Sequence, residues 1–167
     1  MSAKNVTYWT QDEIENLIRA FKECKLSRSD WTHQAHLIVA LWFLFHYSLE
    51  VATDCIRAGI MRYNSAIGIQ TTLTSGYHET ITLFWIRIIS NFLAGEKVNY
   101  SIVDLANKVI QIYDNKDLPF AYYSRELLMS WEARTNWVEP DLKPVLSARQ
   151  GINSLANSES PLKWTGD

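Results

Sequence analysis

Two histidines in the segment "WTHQAHL" are the first residues whose spacing could support chemistry. His33 and His36 stand three positions apart, immediately before the apolar run Leu37 to Phe45. Residues i and i+3 lie on one face of an α-helix, so the two imidazoles can converge on one point. Two imidazoles on one helix and a third from a packed neighbour form a metal site that keeps positions open for water or substrate. The spacing favours such a site, or two histidines that simply pack at a helix entrance.

A His-Glu pair in "SGYHETIT" supplies the third candidate ligand. His78 is followed directly by Glu79. A carboxylate beside a metal serves as a further ligand, orients an imidazole, or accepts a proton from bound water. We therefore predict one divalent metal ion, zinc or iron, held by His33, His36 and His78, with Glu79 as base or additional ligand. Glu79 alone is also explained as an acid that complements the dipole of a first helical turn.

The predicted function is that of a small metal-dependent enzyme acting on a small organic substrate. Zinc would indicate activated-water chemistry such as hydrolysis, hydration or elimination, whereas iron would indicate oxygen chemistry. A first alternative is a metal-free acid-base enzyme, an isomerase or cyclase, in which the imidazoles and Glu79 act directly. A second alternative is a non-enzymatic helical binding or scaffold protein whose histidines are packed.

Several further side chains could contact the substrate or take part in catalysis. They are Trp31 as a wall of the cleft, the substrate-binding candidates Arg57, Arg62 and Tyr77, and the catalytic candidates Tyr123 and Ser124. Arg57 and Arg62 are five residues apart, about 140° around a helix, so they do not share a face and at least one is expected in solvent. Ser124 also fits the N-cap of "SREL".

Composition limits the partners of the chain. Apolar residues make up 47% and charged residues 20%, which is typical of a soluble globular protein. The net charge of -2 and the absence of a basic stripe exclude nucleic acid as a main partner. The longest apolar run is far shorter than the ~20 residues of a membrane span. Cys24 and Cys55 stand singly, as reduced thiols of a cytoplasmic protein do. The oligomeric state stays open, a homodimer included.

Helix start signals and apolar spacing predict the fold class. "TQDE", from Thr10 to Glu13, and "SIVD", from Ser101 to Asp104, are capping boxes, and no segment has the pattern of a strand. We predict an all-α bundle of five to six helices that forms one domain over residues 1–146. A polar, mobile tail follows over residues 147–167.

Two helices of this bundle, about 31–46 and 77–93, are the most apolar. Asp30 and Ser75 are their expected N-caps, and Ser48 is the expected N-cap of the helix between them. A helix that is apolar nearly all round is surrounded by other helices, so these two should be central neighbours.

Four separated segments also resemble a known family. "WTHQAHL", "RAGIMRYN", "GYHETIT" and "YYSRELLMSWEARTNWVEPDL", within residues 30 to 142, are similar to segments of a widespread family of small all-helical bacterial proteins with no settled activity. The resemblance implies an all-α fold and no particular reaction. It also implies that the family's recurring segments contain His33, His36, His78, Glu79, Tyr123 and Ser124.

Overall fold

The computed structural model of the protein describes residues 8–96 and 99–146. Over these residues the fold is the predicted all-α bundle, with seven α-helices and no β-strand. Five helices are long and two are short, so the prediction of five to six helices is close. The helices are α1 (Gln11–Lys22), α2 (His33–His46), α3 (Leu49–Ala66), α4 (Glu79–Gly95), α5 (Ile102–Tyr113), α6 (Arg125–Leu128) and α7 (Trp131–Thr135). The predicted tail, 147–167, lies outside the described residues.

Most of the predicted helix starts are confirmed. Thr10 and Glu13 form a capping box at α1, and Ser101 and Asp104 form another at α5. Ser48 caps α3 through the backbone N–H of Val51. These start signals are local, which explains why the sequence alone identifies them.

Two predicted caps, Asp30 and Ser75, are wrong. The hydroxyl of Thr32 caps α2 by accepting from the N–H of Ala35, while the Asp30 carboxylate accepts from the Ser27 hydroxyl at 2.6 Å in the preceding turn. Ser75 hydrogen-bonds within the loop that precedes α4. The cap of α4 is instead His78, whose Nδ1 accepts from the N–H of Ile81 at 3.3 Å.

The core forms around α2, which packs against α1, α3, α4 and α5. The side chains of Leu37, Ile38, Val39 and Leu41 are almost fully buried, so successive faces of α2 are covered. Within the described residues, no helix combines the length and the apolar character needed to cross a membrane.

The segment that contains α7 is tied to the start of α4. The Thr80 hydroxyl, on α4, donates to the carbonyl of Asn136 at 2.7 Å and accepts from the N–H of Val138 at 3.2 Å. The Tyr123 hydroxyl donates to the Val138 carbonyl at 3.0 Å. These bonds hold α7, and with it Arg134, beside the residues that open α4.

Gly59 allows α3 to approach the core closely. A Cβ atom on Gly59 would lie 2.7 Å from Cε1 and Cζ of Phe21. Phe21 is fully buried and stacks on Trp31 with ring centroids 5.0 Å apart, so its ring has little room to move. Only glycine fits this contact without a shift of the ring or of α3.

We therefore expect Gly59→Ala to lower the free energy of unfolding by about 1–3 kcal/mol, the usual cost of overpacking. Gly95→Ala is the matched control, because Gly95 is also helical and a Cβ there meets nothing within 4 Å. The control should be neutral or slightly stabilising. Urea unfolding of both variants measures the difference, and equal unfolding free energies would contradict the close contact.

Candidate functional site

A cleft of about 690 Å³ opens between the start of α2 and the start of α4. The second half of α3, the loop 67–78 and α7 form its other walls. We call it the α2–α4 cleft. Residues that line it include Trp31, His36, Asn64, Tyr77, His78 and Arg134. Four of the predicted site residues, Trp31, His36, Tyr77 and His78, are therefore in its wall. The other six predicted residues are not among the lining residues.

His36 presents a free ring nitrogen in the cleft. Its Nδ1 donates to the carbonyl of Thr32 at 2.7 Å, which fixes the tautomer and leaves the lone pair on Nε2. No described residue hydrogen-bonds to this Nε2. Burial lowers the pKa of His36 to about 4, and the nearby His33 also lowers it, against the effect of the Thr32 carbonyl. His36 is therefore neutral at pH 7, and its Nε2 is a hydrogen-bond acceptor.

Trp31 forms an aromatic wall beside His36. The centroids of these two rings lie 3.8 Å apart, and the indole also stacks on Phe21 with ring centroids 5.0 Å apart. Tyr63 packs against the same indole at 5.3 Å. The indole is therefore held in one orientation by these side chains, and the part of it that lines the cleft is a rigid apolar surface.

His78 uses both of its ring nitrogens within the protein. Nδ1 caps α4 by accepting from the Ile81 N–H, and Nε2 donates to the carbonyl of Leu128 at 2.8 Å. Burial lowers the pKa of His78, and the positive charge of Arg134 lowers it further, against the effect of the Leu128 carbonyl. The neutral tautomer that these two bonds need is therefore favoured, and neither nitrogen is left for a metal.

His33 contacts α5 instead of lining the cleft. Its Nε2 donates to the carbonyl of Tyr113 at 3.1 Å, and its ring packs 4.8 Å from the indole of Trp85. Within residues 8–96 and 99–146, no three His, Cys, Asp or Glu side chains come together as a metal-binding group. The three-histidine metal site therefore stays a prediction that the geometry does not support.

Glu79 takes part in a network with Arg57 and Tyr77 and does not line the cleft. Its Oε1 accepts from Nη2 of Arg57, and its Oε2 accepts from the Tyr77 hydroxyl at 2.6 Å. The Glu79 carboxylate raises the pKa of Arg57, whereas burial and then Glu79 raise the pKa of Tyr77. Glu79 therefore makes two structural bonds, and Arg57 has a carboxylate counter-ion within the protein, although the buried Nε of Arg57 has no described partner.

The remaining predicted residues have structural partners outside the cleft. Exposed Arg62 donates to the carbonyl of Lys22 at 3.2 Å. Buried Tyr123 donates to Val138, and burial raises the pKa of its hydroxyl to about 12. Ser124 caps α6, and its N–H donates to Asp141 at 2.7 Å. These bonds favour the structural interpretation for each of the three residues.

Arg134 is a cleft residue that was not identified from the sequence. It is 6% exposed, and its Nη1 donates to the carbonyls of Ser75 and Tyr77, each at 3.2 Å. Its Nε is buried and has no partner in the described part of the chain. Its only signal in the sequence is its position in the segment "YYSRELLMSWEARTNWVEPDL". No local pattern indicates that α7 contacts the loop before α4.

Comparison with known proteins adds no functional assignment. No protein-family model matches the chain, and no curated protein or solved structure is significantly similar to it. The family resemblance described above therefore stays a prediction. The geometry of the α2–α4 cleft is what the functional proposal rests on.

We expect Glu79→Gln to lower the free energy of unfolding by about 1–3 kcal/mol, because it leaves Arg57 without its buried counter-ion. The side chain of Glu79 is 11% exposed, but that of Arg57 is 35% exposed, so solvent screens the pair and keeps the loss below that of a fully buried pair.

Asp54→Asn is the matched control for this measurement. Asp54 faces the same arginine at 4.0 Å, but its side chain is 75% exposed. Its removal should cost less than about 0.5 kcal/mol. Urea unfolding compares the two variants, and similar losses for both would show that the buried network contributes no more than a surface ion pair.

Proposed function

We propose that the protein binds a small organic molecule in the α2–α4 cleft, and that a hydrogen-bond donor of this molecule contacts Nε2 of His36. An apolar part of the ligand would contact the indole of Trp31 where it lines the cleft. We also assign this binding protein to the cytoplasm, as the two free cysteines, Cys24 and Cys55, indicate.

The observation that carries the proposal is the free Nε2 of His36 in a cleft of about 690 Å³. Ligand sites are concave and have a few well-placed polar groups among apolar and aromatic walls. Here the Thr32 carbonyl fixes the tautomer, and Trp31 fixes the plane of the imidazole. An acceptor whose orientation is fixed in this way selects a donor on the ligand, such as a hydroxyl or an amide N–H.

Binding is better supported than acid-base catalysis. A general base works best when its pKa lies near the operating pH. The pKa of His36 is lowered to about 4, so its neutral imidazole is a weak base at pH 7. Glu79, the other predicted acid-base group, is occupied by Arg57 and Tyr77. The cleft therefore has a good hydrogen-bond acceptor and no well-matched base.

The metal-dependent enzyme is the second candidate, and one observation favours it. His33 and His36 each donate one ring N–H to a backbone carbonyl and leave the other nitrogen without a described partner. Metal-binding imidazoles are oriented in the same way. His78 opposes this candidate, because a metal would have to displace either the cap of α4 or the bond to Leu128.

The binding proposal is tested with phenol and anisole, which differ in the hydroxyl donor. We expect phenol to shift the NMR signals of Trp31 and His36, and His36→Phe to weaken phenol binding about 3- to 10-fold, the value of one neutral hydrogen bond. Phenol affinity should be constant between about pH 5 and 9, where phenol keeps its proton, and fall as His36 becomes protonated near its pKa of about 4.

His46→Phe is the matched control, because His46 also bonds the carbonyl four residues before it and packs on a tryptophan, Trp42. His46 is not a lining residue of the cleft, so phenol affinity should not change. Equal binding of phenol and anisole, or unchanged phenol binding in His36→Phe, would refute the role of His36.

Metal analysis separates the two candidates. We expect protein purified without a polyhistidine tag to contain far less than one equivalent of zinc or iron, and EDTA to leave its unfolding midpoint unchanged, because His78 has no free nitrogen. One equivalent of metal that is lost in His36→Ala and His78→Ala, with the fold retained, would establish the metal site instead.

A further inference from the structure

We propose that the ligand of the α2–α4 cleft is an organic oxyanion, and that its carboxylate or phosphate group binds the guanidinium of Arg134. This inference rests on the proposed ligand-binding function and specifies the chemical class of the ligand. Three features of the cleft carry it: the charges of its lining, the missing counter-ion of Arg134, and the guanidinium edge that the protein leaves unused.

The charges of the lining favour an anion. Among the described residues, the cleft is lined by two arginines, Arg28 and Arg134, and by no aspartate or glutamate. The chain as a whole has more acidic than basic residues and a net charge of -2. The positive character of the cleft is therefore a local feature. A concave site lined by charge of one sign concentrates ligands of the opposite sign.

Arg134 is a buried cation without a counter-ion. Its side chain belongs to a residue that is only 6% exposed, and none of the ion pairs in the described residues includes it. Burial lowers its pKa, with no carboxylate to oppose the effect. Buried charges in proteins are normally paired or coordinated, because an unpaired charge loses its hydration without compensation. An anionic ligand in the cleft would supply the missing partner.

The loop before α4 binds one nitrogen of the Arg134 guanidinium and leaves the other two nitrogens without a described partner. Nη1 donates to the carbonyls of Ser75, Gly76 and Tyr77 at 3.2, 3.5 and 3.2 Å. These carbonyl dipoles orient the group but carry no net negative charge. Nε and Nη2 have no described partner, and together they form one edge of the planar group. That edge is the fork that binds two oxygens of a carboxylate or phosphate.

The two nitrogens of this edge differ in their exposure to a ligand in the cleft. Nε is sealed from solvent, whereas Nη2, which also has no described partner, is not fully buried. An oxyanion therefore contacts Nη2 first, and bidentate binding requires that Nε become accessible. Arg28 is exposed at the cleft, so its contribution is attraction of the anion and not a buried contact.

The test compares benzoate, phenyl phosphate and the neutral benzamide by NMR, with the Trp31 indole N–H and the Arg134 Nε–H as reporters. We expect at least one anion to bind about 10-fold or more tightly than benzamide and to shift the Arg134 signal. The tighter of the two anions identifies the group as carboxylate or phosphate.

Two variants assign the effect to the arginines of the cleft. Arg134→Gln should weaken the preferred anion about 10- to 100-fold and benzamide much less, because only the anion loses a bond between two charged groups. Arg134 also binds the carbonyls of the loop before α4, so its replacement can disturb the fold. The affinity of Arg134→Gln therefore counts only if its NMR spectrum is that of a folded protein. Arg28→Gln changes an exposed residue and should weaken the anion about 2- to 5-fold. Arg19→Gln, an exposed arginine on α1 outside the cleft, should have no effect.

The outcomes separate this inference from the function on which it rests. If benzamide binds in the cleft as tightly as both anions do, the inference that the ligand is an oxyanion is wrong, and the proposed binding function is retained. Anion binding that is unchanged in Arg28→Gln and in folded Arg134→Gln would also overturn it. If none of the three probes shifts the Trp31 signal, both proposals fail.

Discussion

The two hydrogen bonds of the His78 imidazole are the constraint on which the cleft depends. Nδ1 caps α4, and Nε2 donates to the carbonyl of Leu128 at the end of α6. One side chain therefore joins the start of a core helix to the C-terminal helices, 50 residues along the chain. Both bonds need the neutral imidazole, which burial and the charge of Arg134 favour. The neighbours of His78 are positioned as a consequence: Tyr77 and Glu79 meet Arg57 on α3, and Thr80 holds the segment after α7.

The helices could be predicted from the sequence because their start signals are local. The capping boxes at Thr10 and Ser101 are complete within four residues, and the apolar spacing that follows them needs no tertiary information. The caps of α2 and α4 were mispredicted because several side chains that can accept a hydrogen bond precede each helix. Asp30 and Ser75 are satisfied in the preceding turns, so Thr32 and His78 are the residues that reach the free N–H groups.

The partners of the histidines could not be predicted, because they are backbone carbonyls distant in the chain. His33 bonds Tyr113, 80 residues away, and His78 bonds Leu128. Spacing along a helix indicates which side chains share a face, but it does not indicate which ring nitrogen is already occupied. Arg134 shows the same limit. Its charge matters because its guanidinium is buried against the loop before α4, more than 50 residues away in the chain, and no local pattern indicates that contact.

The two polar groups of the cleft make complementary demands on a ligand. Neutral His36 accepts a hydrogen bond and adds no charge at pH 7, whereas Arg134 donates and is positive. A molecule with only acceptors would satisfy Arg134 and leave the lone pair of His36 unpaired, and a neutral donor would leave Arg134 without a counter-ion. If both proposals hold, a ligand that satisfies both residues has an acidic group and a separate hydroxyl or N–H donor. An apolar part between them would contact the Trp31 indole. Protonation of His36 at low pH would change its Nε2 from a hydrogen-bond acceptor to a donor and make the cleft more positive.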